Sequence, residues 1–258
     1  LEQPKVLHAV LFAAKVLILS VPVLAQYTLR ATQPGHPSQV LVWRIAEPEH
    51  YFDESSRGYA LGPAEATALA DVTHPQKRLE WLAARHAARL LMPPGMVVAI
   101  VNDEYGRPIV QGAVGDMGHV SLSHTEGLAA AMYSPALAVG VDIERLGQPR
   151  NFESRRLFMN AQELKVFASH PAESTFLAIW SAKECIYKIF SHRERGLSFR
   201  NHMHVQFLNG ALVTSTQTDV LDLSCTLNSP AHRAELLVQC RFTADYILAY
   251  TTYDLGSL

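Results

Sequence analysis

Hydrophobic positions change their period along the chain, and each change marks an element. Val40-Leu41-Val42-Trp43-Arg44-Ile45 is a β-rich run, read as the first strand of the main fold, with Pro34-Gly35-His36-Pro37 as a turn before it. A short helix is expected from Gly62-Pro63-Ala64-Glu65 to Asp71. His74-Pro75 opens a longer helix that ends near Met92, ahead of Pro93-Pro94-Gly95. In it Leu79, Leu82, Ala83, His86 and Leu90 follow the helical period and face the core, while Arg78, Arg85 and Arg89 form a stripe expected to be solvated. Tyr105-Gly106-Arg107-Pro108 is a turn between short strands. Val120-Ser121-Leu122-Ser123 reads as a strand ending at His124-Thr125-Glu126-Gly127, and Leu128 to Tyr133 and Ala136 to Glu144 as strands around Ser134-Pro135.

The second half of the chain changes rhythm. Asn160-Ala161-Gln162-Glu163 has the form of a capping box opening a helix to about Ser169. A helix from roughly Ala172 to Phe190 buries Phe176, Leu177, Trp180, Ile186 and Ile189, and leaves Lys183, Glu184 and Lys188 for a cleft. His204 to Phe207, Ala211 to Thr214, Ala234 to Phe242 and Tyr246 to Tyr253 then alternate as strands. Strand and helix followed by strands occurs twice, which permits two similar halves meeting near Ser134 to Gly140. The expected fold class is α+β, with residues 1–36 as an N-terminal extension, 37–137 as one half and 138–258 as the other.

Composition narrows the class. A chain of 258 residues with 48% hydrophobic and 18% charged positions has a real core and is not disordered. The net charge of −2 gives no bulk attraction for nucleic acid, so an anion must be held by a local cluster. Cys185, Cys225 and Cys240 form no CxxC and read as free thiols and small core residues in a reducing, cytoplasmic setting. Val6 to Ala25 is apolar but interrupted by His8, Lys15, Ser20 and Pro22. It is read as an added helix packed on the body or an upstream extension, in preference to a secretory leader, and no stable membrane span is expected. His202 and His204 have no carboxylate or cysteine close in sequence, and read as surface or packing positions.

Two segments carry chemistry. In Gly140-Val141-Asp142-Ile143-Glu144, read as a strand, Asp142 and Glu144 share a face. In Trp180-Ser181-Ala182-Lys183-Glu184-Cys185-Ile186-Tyr187-Lys188, read as a helix, Glu184 and Lys188 stack on one face with Lys183 beside them. Brought together, three carboxylates beside two lysines make a site for a hard divalent cation, Mg²⁺ in the first instance, holding a phosphate-rich substrate.

The ordered set of these segments resembles the 4′-phosphopantetheinyl transferases. Leu122-Ser123-His124-Thr125 looks like their Ser-His motif, and Tyr105-Gly106-Arg107-Pro108 like their Gly-Lys-Pro turn, with Arg for Lys. Lys77 to Arg89, with Glu80, Trp81, Leu82 and Arg85, is similar to the helix preceding that turn, and Arg195-Gly196-Leu197-Ser198-Phe199 to the loop after the second catalytic helix. The resemblance covers about Val40 to Tyr253. Its size and layout look like the larger Sfp-type class, built from two pseudo-symmetric halves, each a small antiparallel sheet with a packed long helix.

The resemblance implies that coenzyme A gives its 4′-phosphopantetheine arm to a serine of an apo acyl or peptidyl carrier protein, and 3′,5′-ADP leaves. It implies Asp142, Glu144 and Glu184 as ligands of Mg²⁺, or Mn²⁺, with Glu184 and Lys188 catalytic. It implies Lys77, Arg85, Arg107, Ser123, His124, Lys183 and Lys188 as the coenzyme A-binding set, in a monomer. Two alternatives use the same residues: a metal-dependent phosphohydrolase, and an inactive carrier-protein-binding module. For carrier docking the segment Arg145 to Phe158 is the local candidate.

Overall fold

The computed structural model describes residues 23–28, 38–53, 61–96, 98–112, 117–208 and 220–257. In chain order the elements are β1 (Val23–Thr28), β2 (Gln39–Arg44), α1 (His50–Asp53), α2 (Pro63–Ala70), α3 (Pro75–Leu91), β3 (Val98–Asn102), β4 (Pro108–Gly112), β5 (His119–Thr125), β6 (Leu128–Ser134) and β7 (Ala138–Arg145). They continue with α4 (Arg155–Phe158), α5 (Ala161–Ser169), α6 (Glu173–Phe190), α7 (Phe199–His202), β8 (Met203–Phe207), β9 (Val220–Asn228), β10 (Arg233–Phe242) and β11 (Tyr246–Tyr253). The class is α+β.

Two antiparallel sheets dominate. The first runs β1-β2-β6-β5 and the second β7-β11-β10-β9-β8, while β3 and β4 form a separate hairpin. Helix α3 covers one face of the first sheet, packing Leu82, Ala83, Ala87 and Leu91 against Trp43, Ala129 and Ala131. Helix α6 covers the second sheet in the same manner, through Leu177, Ile179, Ile186 and Phe190 against Leu223, Val238 and Ile247. The opposite faces of the two sheets meet each other: Val40, Val42, Leu128, Ala130 and Met132 pack on Val139, Val141, Ile143, Leu248 and Tyr250. This sandwiching is why β6 is buried along its whole length. Its alternate positions serve two different cores, and its alanines let α3 come close.

Edge strands β5 and β7 are also tied together by side chains. The backbone N–H of Val141 donates to Ser121 Oγ (3.1 Å), and that of Ile143 to Ser123 Oγ (3.2 Å). Serines two apart on β5 therefore satisfy the unpaired edge of β7, which a sheet must otherwise leave open.

Three expectations change. Val23–Thr28 is a strand paired to β2, with Thr28 opposite Gln39, so Val40–Ile45 is not the first strand of its sheet and part of the 1–36 segment belongs to the fold. The rest of the apolar N-terminal run, the Pro34–Pro37 turn and the Ala211–Thr214 strand lie outside the described residues. Strand β9 was not anticipated; its buried Leu221, Leu223, Cys225 and Leu227 alternate with the half-buried Asp222, Ser224 and Thr226. Among the described residues no helix is long and apolar enough to cross a membrane. All three cysteines are free and buried.

Candidate active site

The site begins with a glycine. Strand alternation turns Gly140, Asp142 and Glu144 toward α6, opposite the Val139-Val141-Ile143 face that packs between the sheets. A Cβ on Gly140 would run into the backbone carbonyl of Cys185. The missing side chain lets β7 and α6 approach backbone to backbone at that point. That contact sets the reach of everything beyond it. Lys188 Nζ donates to Val141 O (2.8 Å) and to Asp142 Oδ1 (2.9 Å). Ser123 Oγ donates to the same Asp142 oxygen (2.9 Å), so a strand of the first sheet, a strand of the second and α6 converge on one carboxylate.

The other carboxylate oxygen is the informative one. Asp142 Oδ2 is buried and has no hydrogen-bond partner among the described residues. Glu184 lies close enough to feel Asp142 and Glu144: burial first and then these two charges, opposed by Lys188, raise its pKa from 4.5 to about 7. Burial and Asp142 also raise Glu144, against the pull of Arg150. Burial disfavours the charge on Lys188, but Asp142, Cys185 and Glu184 outweigh it and raise its pKa. Three crowded carboxylates, one with an orphaned oxygen, have the donor chemistry of a hard-cation site. As the side chains stand, Lys188 neutralises Asp142 and Arg150 Nη2 donates to Glu144 Oε2 (3.2 Å), and no three acidic, histidine or cysteine groups among the described residues are gathered as a ligand cluster.

Next to the carboxylates is a basic cavity of about 310 Å³ lined by Trp81, Arg85, Asn102, Ser123, His124 and Lys188. Arg85 is buried, not solvated. Its Nε donates to Ile100 O (2.9 Å), its Nη2 to Asn102 Oδ1 (3.1 Å), and its guanidinium stacks 3.5 Å above the Trp81 ring. Burial lowers its pKa to about 10, which keeps it charged at neutral pH. The Arg89 side chain is mostly covered as well, paired with Glu65, so the expected solvated stripe is largely internal. Arg107 Nε donates to Asp103 Oδ2 (3.1 Å), and its Nη1 lies 3.2 Å from His192 Nε2. Lys77 Nζ donates to Glu80 Oε2 (2.7 Å).

Lys183 does not reach the cleft. Its side chain is fully buried, and Nζ donates to Glu163 Oε2 (2.6 Å), Phe158 O (2.8 Å) and Phe199 O (2.8 Å). One residue before Glu184, it is turned about 100° around the helix and locks α5, α6 and the segments before and after them. The expectation that it touches a phosphate is therefore corrected. His86 is a core residue against Trp43, and His202 Nδ1 and His204 Nδ1 bond to Ser198 N and Asn160 Nδ2, as surface or packing positions would.

Glu144 also borders a second, larger groove of about 750 Å³, lined by Arg150, Leu157, Phe158, Trp180 and Phe199 among others. Leu157 is 80% exposed there. Arg150, read from the sequence only as one of the basic residues of the docking segment, joins Glu144 (3.2 Å) to Glu173 (3.0 Å). His192 was not singled out; Glu80 was named only as part of the Lys77 to Arg89 helix, with no role of its own.

Residues 138–251 match the family model of the 4′-phosphopantetheinyl transferase superfamily. That stretch of the chain is similar to the superfamily, and the match runs from the start of β7 through α6 and into β11. No curated protein matches the chain.

Proposed function

We propose that this protein transfers the 4′-phosphopantetheine arm of coenzyme A to a serine of an apo acyl or peptidyl carrier protein, releasing 3′,5′-ADP, as a two-halved transferase of the larger class. One observation carries this reading. Asp142 is held between Ser123 of the first sheet and Lys188 of α6, with Glu184 beside it and the basic Arg85–His124 cavity adjoining. An acidic centre abutting a cationic pocket suits a pyrophosphate that must be both bound and broken.

Asp142, Glu144 and Glu184 would hold Mg²⁺ or Mn²⁺, which when bound neutralises the pyrophosphate and the charge on the leaving nucleotide. Lys188 serves as a fixed cation at the same phosphates. Arg85, Arg107 and His124 hold the nucleotide end through its 3′-phosphate. Glu184, beside Asp142 in the acidic centre, takes the serine proton directly or through a water as the serine oxygen bonds to phosphorus. The bond from that phosphorus to the oxygen of 3′,5′-ADP breaks. The groove beginning at Glu144 and bounded by the Arg145–Phe158 segment supports docking of the carrier, because a protein seated there puts its serine beside the carboxylates. The buried free thiols Cys185, Cys225 and Cys240 support the reading of a reducing, cytoplasmic setting.

The test is incubation with coenzyme A, Mg²⁺ and a panel of apo carrier proteins, reading the mass of each. A gain of one phosphopantetheine on a carrier, lost in Asp142→Ala with the fold intact by circular dichroism, is expected. Consumption of coenzyme A without any carrier would favour a phosphohydrolase. Full turnover by Asp142→Ala at saturating Mg²⁺ would remove the metal assignment.

A further inference from the structure

Glu80 is buried near the start of α3, with a side chain only 2% exposed. A carboxylate so placed is costly unless donors satisfy it. It has three. Lys77 Nζ reaches Oε2 at 2.7 Å, His124 Nδ1 reaches the same oxygen at 3.0 Å, and Gln76 Nε2 reaches Oε1 at 3.4 Å. Lys77 approaches from solvent, with its side chain more than half exposed. His124 approaches from β5, where it lines the basic cavity with Ser123, Arg85 and Lys188.

The imidazole is thus gripped by one nitrogen. Nδ1 faces Glu80, and the geometry of the ring turns Nε2 the other way. A neutral imidazole that donates through Nδ1 presents only a lone pair at Nε2, which repels a phosphate oxygen; the imidazolium donates from both. Several charges act on this ring. Burial opposes its charge most, Glu80 favours it, and Lys77 and Lys188 oppose it; together they hold the ring below the usual 6.5. In the ligand-free protein Glu80 therefore only offsets part of the loss, and a bound phosphate supplies the second anion. Glu80 is the carboxylate bonded to it, on the side opposite Nε2.

We propose that Glu80 is a positioning residue: it fixes His124 by Nδ1 and supports the imidazolium, so that Nε2–H is presented as a charged donor to a phosphate of coenzyme A. The inference rests on the coenzyme A reading above. It also assigns Lys77 to the support of Glu80 instead of direct phosphate contact. The imidazolium then sits between two anions, one built into the fold and one brought by the ligand, an arrangement that strengthens both hydrogen bonds.

Glu80→Gln keeps the shape and removes the charge. Nitrogen-15 NMR of the ligand-free protein should show the His124 titration midpoint falling by about one pH unit. Calorimetry should show coenzyme A binding weakened about tenfold, with His124→Ala giving a similar loss. An unchanged His124 midpoint in Glu80→Gln would overturn the positioning role. A lowered midpoint with wild-type coenzyme A affinity in both variants would support the Glu80–His124 coupling and overturn the phosphate reading. Should Glu80→Gln fail to fold, Lys77→Met tests the same network at a mostly exposed position. Removing that cation should raise the His124 midpoint, and a fall or no change would again count against the proposal.

Discussion

Lys183→Met should destabilise the protein strongly while leaving coenzyme A binding alone. The lysine ammonium is fully buried, 2.6 Å from a Glu163 carboxylate that is itself sealed from water. Methionine fills nearly the same volume, so packing changes little. What is lost is the only charge neutralising Glu163 in the contact, together with the donor to the Phe158 and Phe199 carbonyls. Glu163 retains two backbone donors, Asn160 N–H at Oε2 and Val205 N–H at Oε1, each at 2.8 Å. These do not compensate a buried charge. Breaking one side of such a pair costs about 3–5 kcal/mol, a large share of the roughly 5–15 kcal/mol that holds a typical domain. Urea unfolding followed by circular dichroism measures the loss, and calorimetry at a temperature where both proteins are folded measures coenzyme A affinity. Adding Glu163→Gln should restore part of the stability, because it neutralises the stranded carboxylate while retaining an acceptor for the backbone donors. Stability within about 0.5 kcal/mol of wild type, combined with weakened coenzyme A binding, would refute the argument and return Lys183 to the phosphates.

Gly140→Ala forces β7 away from the Cys185 carbonyl; a loss of about 1–3 kcal/mol and a large fall in transfer rate are expected, and unchanged melting and turnover would dismiss the close approach as the organiser of the site. In metal-free protein Glu184, raised from 4.5 to about 7, contributes stability that is full below pH 4.5 and is lost as pH rises through about 7. Urea midpoints against pH should therefore fall across that window, and an equal slope in Glu184→Gln would show that another group is responsible. Reversing Arg155 and Arg156 to Glu should raise KM for the carrier protein at low salt, where steering is strongest, with coenzyme A affinity unaltered; the same KM for several carriers would take this segment out of the docking surface.

What could be read from the chain alone was local. Asp142 and Glu144 share a face because a strand has a period of two, and Glu184 and Lys188 stack because a helix has a period near 3.6. The order of motifs pointed to phosphopantetheine transfer, and the matched family model covers the segment that holds both acidic motifs. The helix ends at Pro75 and Asn160 were legible from proline and the capping box, since their physics lies within a few residues. Strand β9 was missed although its apolar and polar positions alternate as those of a half-buried strand do.

Tertiary structure decided which charges meet. Lys183 and Lys188 look equivalent in sequence, but five residues on a helix turn them to different sides, and one pairs with Glu163 inside the core while the other bridges to Asp142. Periodicity alone put Arg85 and Arg89 on a solvated stripe, and the family resemblance put Arg85 at coenzyme A; both are internal because Ile100, Asn102 and Glu65 approach from elements distant in the chain. Ser123 could be placed near the histidine it precedes, but its hydrogen bonds to Asp142 and Ile143 exist only because two sheet edges meet. Periodicity is a property of backbone geometry and is written in every short segment. Charge pairing across elements depends on desolvation and on distances of a few ångströms, and these are set only when the two sheets and their helices close on one another.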